Sequence, residues 1–348
     1  MEFKYPEAIV ECDWLLNQLN NDNVRIYDCT TILHYTDDHP DKPYDVESGY
    51  ELYKKSHIPG ASFLNLQNDF SNNDSNFKFT LPNSDYLAEA FQNHGIGEPF
   101  HIIFYSRNGM QWSTRFWWMA QYLGYKKISI LNGGINEWER LGMPTESKSN
   151  SYKPAKFDAS VNDTIFVDKE YVLSSISDDS SILINALSED LHQGHNPRYG
   201  RPGRIPDSIN IPFHTLVEAD SFKFKSPDEI MSIFSDHALE KSKTIVNYCG
   251  GGISATLDSF LLYQLGFNDL KIYDNSMSEW SKDDSVPIEK DNQYSSKESM
   301  KKGYMISAHR SKADPQKRNA YIQLALPAIE KGGGKILAST NDIVAKEN

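Results

Sequence analysis

The sequence contains few cysteines and shows none of the cysteine spacings that typify metal or disulfide sites. Three cysteines occur in 348 residues, Cys12, Cys29 and Cys249. None belongs to a Cys-X-X-Cys pair or to a Cys/His pattern of the zinc type. The odd, widely spread set supports neither a disulfide framework nor a structural zinc site, and we predict no metal and no organic cofactor. Reduced thiols of this kind are typical of a cytoplasmic protein.

The chain also lacks a basic segment and a long apolar run. Its formal net charge is −13 at pH 7, so nucleic acid and anionic membranes would be repelled unless a local basic patch overrode that total. The start of the chain shows no basic leader followed by an apolar segment, and no run approaches about 18 uninterrupted apolar residues. We therefore predict a cytoplasmic protein with neither nucleic acid nor membrane as a partner.

The sequence does contain an internal repeat. Residues 122–138 read YLGYKKISILNGGINEW and residues 264–280 read QLGFNDLKIYDNSMSEW, with Leu, Gly and Trp aligned at a single offset. Upstream, SHIPGASFLNL at 56–66 corresponds to GRIPDSINIPF at 203–213. Two pairs of matching segments in the same order, with small insertions between them, indicate a duplicated domain.

Each half shows the same alternation of apolar and amphipathic segments. The apolar runs VRIYDC, HIIFYS and KISIL of the first half correspond to SILINA, TIVNYC and LKIYD of the second. Amphipathic segments such as STRFWWMAQYL and SATLDSFLLYQL separate them. This alternation is typical of βα units. We predict an α/β fold with two domains, each a mostly parallel sheet with helices on both faces.

The predicted domain boundaries follow from composition. The first domain spans residues 1–147, a linker rich in Ser, Lys and Pro spans 148–160, and the second domain spans 161–290. Residues 300–348 match nothing in the two halves. Within them, the order strand, helix, Gly-rich turn, strand predicts a short βαβ-like C-terminal appendage, with a solvated helical tail as the alternative.

Cys249 lies on a loop suited to chemistry. It follows the apolar run TIVNY and precedes a helical segment, which places it in the crevice beyond the carboxyl ends of the strands, where α/β sheets bind ligands. The glycines at 250–252 permit positive φ, so successive amide N–H groups can form an anion-binding nest. Such a nest at a helix N-terminus favours a thiolate, and we predict that Cys249 is a nucleophile. Cys12 and Cys29 are predicted to be small buried hydrophobic residues.

Other nucleophilic chemistries fit the sequence less well. A cysteine phosphatase needs an arginine that clamps the phosphate, and residues 250–260 contain none. No histidine stands near Cys249 as in a cysteine protease, although folding could bring a distant one. Ser106 takes the place of Cys249 in the first half, but no nucleophile-elbow glycines flank it, which argues against a serine hydrolase.

The chain resembles the tandem rhodanese-domain sulfurtransferases, the family that contains thiosulfate sulfurtransferase and 3-mercaptopyruvate sulfurtransferase. The resemblance covers about residues 5–290. It rests on SHIPGASFLNL, RFWWMAQYLGY and ILNGGINEW in the first half and on YCGGGISAT, GRPGRIPDSINIPF and IYDNSMSEW in the second. It implies that Cys249 takes a sulfane sulfur from a small anionic donor, thiosulfate or 3-mercaptopyruvate. Cys249 would carry that sulfur as a persulfide and pass it to a thiol or cyanide acceptor.

The resemblance also assigns roles to the two halves. A serine cannot form a persulfide, so Ser106 makes the first domain catalytically silent. In the second domain the residues after the cysteine would bind the transferred sulfur: Gly250, Gly251, Gly252, Ile253 and Ser254. The appendage is similar to the first βαβ part of a ferredoxin-like module and would be a truncated form of it.

Arginines are the predicted donor-binding groups because both donors are anions. A planar guanidinium pairs well with carboxylate or thiosulfate oxygens. The segment NPRYGRPGRIPDS supplies three candidates, Arg198, Arg201 and Arg204, for which surface solubility is the alternative role. Leu187 stands where relatives typically carry an arginine, which argues against mercaptopyruvate, whereas the neutral glycine loop resembles the mercaptopyruvate type. The preferred donor therefore stays open. The alternative function is a non-catalytic persulfide carrier or regulatory scaffold whose appendage docks a partner.

Overall fold

The computed structural model describes residues 2–36, 42–237 and 239–291, all of which lie in one compact unit, Met1–Asn292. The appendage predicted at 300–348 lies outside the described residues.

A parallel sheet forms the centre of the first domain. Its strands are β1 (Ile9–Val10), β2 (Val24–Asp28), β5 (Ser62–Phe63), β6 (His101–Tyr105) and β7 (Ile128–Leu131). They run in the order β1-β7-β6-β2-β5, and every pairing is parallel. Between β2 and β5 the chain forms an antiparallel hairpin of β3 (Thr31–Tyr35) and β4 (Tyr44–Ser48).

Helices connect these strands and cover the sheet. They are α1 (Cys12–Leu16), α2 (Tyr50–Lys55), α3 (Leu66–Asp69), α4 (Ser84–Asn93), α5 (Gln111–Tyr122) and α6 (Gly134–Arg140). Because helices cover the sheet, the central strand β6 is buried from Ile102 to Tyr105. A strand buried on both faces reads as a continuous apolar run, which is why HIIFY was recognisable in the sequence.

The second domain repeats this plan. Its strands are β8 (Phe166–Val167), β9 (Ser181–Asn185), β10 (Ile209–Asn210), β11 (Thr244–Tyr248) and β12 (Leu270–Tyr273). They pair in parallel in the order β10-β9-β11-β12-β8. Its helices are α7 (Lys169–Ser175), α8 (Glu189–His192), α9 (Pro227–Ser235), α10 (Ser254–Gln264) and α11 (Ser276–Trp280). The predicted α/β architecture of two mostly parallel sheets is confirmed.

Helices α5 and α10 join the two domains. Trp117 of α5 packs edge-on against Phe260 of α10, with ring centroids 4.9 Å apart. Next to this contact the Thr114 and Thr256 hydroxyls are hydrogen-bonded at 2.7 Å. Nearly every side chain of α10 is buried, as expected for a helix covered on all sides. One hydrophobic core therefore runs through both domains, and a second cluster, which includes Ile103 and Trp138, lies in the first domain.

None of the helices within the described ranges is long and apolar enough to cross a bilayer.

Candidate active site

Cys249 lies directly after β11, at the carboxyl edge of the second sheet. Its backbone is held by the start of α11. The Cys249 amide donates to the Ser276 hydroxyl at 3.0 Å, and its carbonyl accepts from the Met277 amide at 3.0 Å. The next carbonyl, that of Gly250, accepts from the Ser278 amide at 2.8 Å. The Cys249 side chain is only 1% exposed, so a sulfur at this place is shielded from bulk water.

The glycine loop, residues 250–254, leaves its amide groups available. Among the described parts of the chain, no protein acceptor bonds the amides of residues 250–253. Helix α10 begins at Ser254, and the amides of Ser254 and Ala255 have no backbone acceptor among the described residues, whereas the Thr256 amide donates to the Ile253 carbonyl at 3.0 Å. Gly252 has φ +69°, and a Cβ there would lie 2.2 Å from the Asp274 carbonyl oxygen. Unpaired amides next to a helix N-terminus form a site that favours an anion.

Two tyrosines that the sequence analysis missed lie against this loop. A Cβ on Gly250 would be 2.0 Å from the Tyr199 hydroxyl oxygen, and a Cβ on Gly251 would be 2.9 Å from that of Tyr44. The ring of Tyr44 contacts that of Tyr199, with centroids 6.4 Å apart, and that of Tyr35, with centroids 6.3 Å apart. Tyr35 and Tyr44 belong to the β3–β4 hairpin of the first domain, so both domains line the site.

The phenols of this group remain protonated. Burial raises the pKa of Tyr44 and of Tyr199 well above the ordinary value, and the neighbouring Cys249 raises the pKa of both phenols further. The same two causes raise the pKa of Tyr35, against the opposing effect of Arg198. Neutral phenols can donate hydrogen bonds to a negatively charged sulfur.

Of the three predicted arginines, Arg198 is the one whose charge acts on the phenols of this group, while Arg201 lines a small cavity beside Tyr199. Its guanidinium carbon lies 4.1 Å from the ring centroid of Tyr35, and its charge lowers the pKa of Tyr35 and Tyr199 against the effect of burial. Arg198 therefore places a positive charge beside the phenols near Cys249.

Arg201 and Arg204 are engaged with the end of the described chain. Arg201 donates to the carbonyls of Ser281, at 3.2 Å, and Val286, at 3.1 Å. Arg204 forms ion pairs with Glu289 and Asp291. These contacts fasten the segment after α11 to the second domain.

Arg115 of the first domain supports the glycine loop from behind. This fully buried guanidinium donates to the Gly252 carbonyl at 3.2 Å and to the Phe79 carbonyl at 2.8 Å. It also pairs with the Asp274 carboxylate at 2.7 Å. Sequence reasoning did not find this role, because Arg115 occupies an ordinary position in the segment STRFWWM.

In the corresponding loop of the first domain, Ser106 and its neighbours are hydrogen-bonded to groups of the same domain. The Ser106 hydroxyl donates to the Gly109 carbonyl at 2.6 Å and is hydrogen-bonded to the Ser113 hydroxyl at 2.7 Å. The Arg107 amide donates to the Thr30 hydroxyl at 3.0 Å. The Ser106 hydroxyl is thus held by hydrogen bonds within its own loop and the helix that follows it.

The remaining cysteines and the residue at position 187 are buried. Cys12 is 2% exposed and Cys29 is fully buried, which confirms their predicted place in the core. Burial raises the pKa of Cys12 to about 12, and that of Cys29 also lies well above its ordinary value. Leu187 is 8% exposed and adds no charge to the site. Within the residues that the structure places, no group of three His, Cys, Asp or Glu side chains could hold a metal ion.

Comparison with known proteins connects this geometry to a family. The model of the rhodanese-like domain matches two segments, residues 11–141 and 170–283. Thiosulfate sulfurtransferase of Rattus norvegicus is 30% identical over 234 residues, which are 66% of this chain and 78% of that protein. 3-mercaptopyruvate sulfurtransferase of Homo sapiens is 30% identical over 233 residues, with the same shares of 66% and 78%. The crystal structure of the 3-mercaptopyruvate sulfotransferase SseA from Escherichia coli, 26% identical, superposes with a TM-score of 0.64 over 77% of this chain and 98% of SseA.

Proposed function

Because this chain belongs to the rhodanese-like domain family, we propose that it is a sulfurtransferase that carries the transferred sulfur as a persulfide on Cys249. The donor is thiosulfate or 3-mercaptopyruvate, and the acceptor is a thiol or cyanide. The observation that carries the proposal is the glycine loop, whose unpaired amides surround a shielded cysteine at the end of β11.

The first half-reaction loads the cysteine. The Cys249 thiolate attacks the outer sulfur of thiosulfate, a new S–S bond forms, and sulfite leaves with the electron pair of the old S–S bond. With 3-mercaptopyruvate the C–S bond breaks instead, and the carbon that keeps the electron pair takes up a proton to give pyruvate. In both cases the outer sulfur of the persulfide ends with negative charge, which the amides of the glycine loop can bind.

The second half-reaction discharges the persulfide. An acceptor thiolate or cyanide attacks the outer sulfur, and the bond to Cys249 breaks with its electron pair returning to the cysteine. The low exposure of Cys249 keeps water away from the reactive sulfur between the two steps.

Arg198 is the donor-binding cation in this proposal. Its position beside Tyr35 supports the assignment, whereas the ion pairs and carbonyl contacts of Arg201 and Arg204 support a structural role for those two residues. The buried, neutral Leu187 gives the site no second cation for a carboxylate, so neither donor is favoured on charge alone.

We extend the proposal to the domain limits and the location. Domains at 1–147 and 161–290 are supported by the two matched segments, which fall within them. A cytoplasmic location is supported by the three free thiols. The net charge of −13 argues against a nucleic-acid partner.

Intact mass spectrometry tests the function. After exposure to thiosulfate or 3-mercaptopyruvate we expect the wild-type protein to gain about 32 Da, one sulfur atom, on Cys249, and to lose it on addition of cyanide. The Cys249→Ser variant should gain nothing, whereas Cys29→Ser, the matched change at another buried cysteine, should still gain the sulfur. Equal adducts in the wild type and Cys249→Ser would contradict the proposal. An adduct that no acceptor discharges would identify a persulfide carrier instead.

A further inference from the structure

One phenol hydroxyl from each domain lies over the glycine loop. The Tyr199 hydroxyl lies against Gly250, since a Cβ placed on that glycine would be 2.0 Å from the hydroxyl oxygen. The Tyr44 hydroxyl lies against Gly251, where the same distance is 2.9 Å. Both tyrosines are more than nine-tenths buried, at 7% and 6% exposure. Two hydroxyl groups therefore lie beside the two residues that directly follow Cys249.

The two hydroxyls have protons available for an acceptor in the site. No hydrogen bond within residues 2–36, 42–237 and 239–291 uses the Tyr199 hydroxyl. The Tyr199 hydroxyl is not among the fully buried polar atoms that lack a partner, so it keeps some contact with solvent and can donate to an acceptor that enters the site. The Ser278 hydroxyl next to Tyr44 lowers the pKa of the phenol against the larger effect of burial, as a donor to the phenol oxygen does. A phenol whose oxygen accepts from a neighbour keeps its own proton for another acceptor.

The acceptor for the two phenol hydroxyls can be identified from the charges near Cys249. Cys249 is close enough to raise the pKa of both phenols, so each remains a neutral donor next to the sulfur. The nearby group that gains negative charge during the reaction is the outer sulfur of the persulfide. A hydrogen bond to a charged acceptor is about twice as strong as one between neutral groups.

We infer that the hydroxyls of Tyr44 and Tyr199 donate hydrogen bonds to the outer sulfur of the Cys249 persulfide and complete the ring of donors formed by the glycine loop. The inference rests on the proposed function. No proton is transferred: each phenol keeps its proton while thiosulfate gives up its outer sulfur and sulfite leaves, and again while the acceptor removes that sulfur. The first domain, which has Ser106 at the position that corresponds to Cys249, thus supplies part of the active site.

The exchange of sulfur with sulfite measures this stabilisation directly. Sulfite discharges the persulfide to give thiosulfate and the free cysteine, so the sulfite concentration that discharges half of the protein reports the stability of the bound sulfur. We expect that concentration to fall about ten-fold in Tyr199→Phe and in Tyr44→Phe, because each variant loses one hydrogen bond to a charged sulfur. Tyr86→Phe removes the hydroxyl of an exposed tyrosine on α4 and should leave the concentration unchanged.

The outcomes separate this inference from the proposed function. If the wild-type protein acquires no sulfur on Cys249, the proposed function fails, whatever the tyrosines do. If the wild type loads normally and both Phe variants discharge at the wild-type sulfite concentration, the hydroxyls do not contact the outer sulfur and the inference is overturned. A changed melting temperature with unchanged discharge would likewise show a packing role only. Either variant decides the question if the other does not fold.

Discussion

Ser276 adopts a left-handed backbone conformation, φ +50°, directly beside the nucleophile. Its hydroxyl accepts the amide hydrogen of Cys249 and donates to the Tyr273 carbonyl at 2.7 Å. In the first domain the corresponding first helical residue is Gly134, φ +56°, where a Cβ would lie 2.2 Å from the Ser106 carbonyl oxygen. The second domain therefore keeps a strained serine where its duplicate needs glycine, and uses the hydroxyl to fix the backbone of Cys249.

Gly252 is the loop glycine at which a side chain would meet both a positive φ and a backbone carbonyl. Its positive φ costs an alanine about 1–2 kcal/mol, and the collision with the Asp274 carbonyl adds about 1–3 kcal/mol. We expect Gly252→Ala to lower the free energy of unfolding by about 2–5 kcal/mol and to abolish persulfide formation, measured by urea denaturation and intact mass. Gly60 is the matched control, with φ +81° and nothing within 4 Å of its Cβ position. Equal losses in Gly252→Ala and Gly60→Ala would show that crowding at the loop is unimportant.

Asp258 is a carboxyl group buried without a partner. It is fully buried in α10, and neither of its oxygens has a hydrogen-bond partner among the described residues. Burial raises its pKa well above the ordinary value, so the folded protein holds it protonated. The unfolded chain releases that proton above a pH of about 4, so stability falls as the pH rises from there towards the folded pKa.

Replacing Asp258 with its neutral isostere should therefore stabilise the protein in a pH-dependent way. We expect Asp258→Asn to raise the melting temperature at pH 8 and to have a smaller effect at pH 5. Asp178 is a control for which we expect the opposite effect, because hydrogen bonds from Ser180 lower its pKa in the folded protein. Its charged form therefore stabilises the fold, and Asp178→Asn should lower the melting temperature at pH 8. A gain for Asp258→Asn that is the same at both pH values would contradict the protonated state.

At the scale of elements, the central strands and the helices that follow them could be predicted, and the groups that approach the loop from elsewhere could not. Strands β6 and β11 are buried on both sides, so their apolar runs are continuous in the sequence, and Cys249 at the end of β11 follows from that pattern. Tyr44 is distant from Cys249 along the chain and reaches it only because the β3–β4 hairpin extends to the second domain. Such a role depends on packing between domains, which no local pattern records.

Helix α5 makes a further contact of this kind through Arg115. Replacing Arg115 with Met removes the donor to the Gly252 carbonyl and leaves the Asp274 carboxylate, 13% exposed, without its cation, with the Leu81 amide at 2.6 Å as its remaining donor. We expect Arg115→Met to lower the free energy of unfolding by about 3–5 kcal/mol in urea denaturation. Lys127 and Glu98 form an ion pair in which both side chains are about half exposed, at 53% and 48%, so Lys127→Met should cost no more than about 1 kcal/mol. If both variants lost a similar amount of unfolding free energy, burial of the Arg115–Asp274 pair would not contribute to stability.

At the scale of the whole molecule, the core that the two domains share predicts that they unfold as one unit. The side chain of Phe260 is fully buried and packs on Trp117 of the first domain and on Phe224 of the second, with centroids 4.9 and 5.4 Å apart. Two domains with separate cores would unfold independently. When a core is continuous, loss of a central side chain weakens both sheets together.

The variant Phe260→Ala tests this coupling. It should lower the free energy of unfolding by about 3–5 kcal/mol through loss of burial and the cavity left behind. Amides in the buried strands β6 and β11 exchange with solvent only when the surrounding structure opens, so hydrogen exchange read by mass spectrometry reports on each domain separately. We expect exchange to accelerate in both strands by the same factor, about 100-fold or more. Leu173→Ala, at a side chain 43% exposed on α7, should change neither strand. If exchange accelerated only in β11, the first domain would stay folded when the second opens, and the contact between α5 and α10 would not couple the two domains.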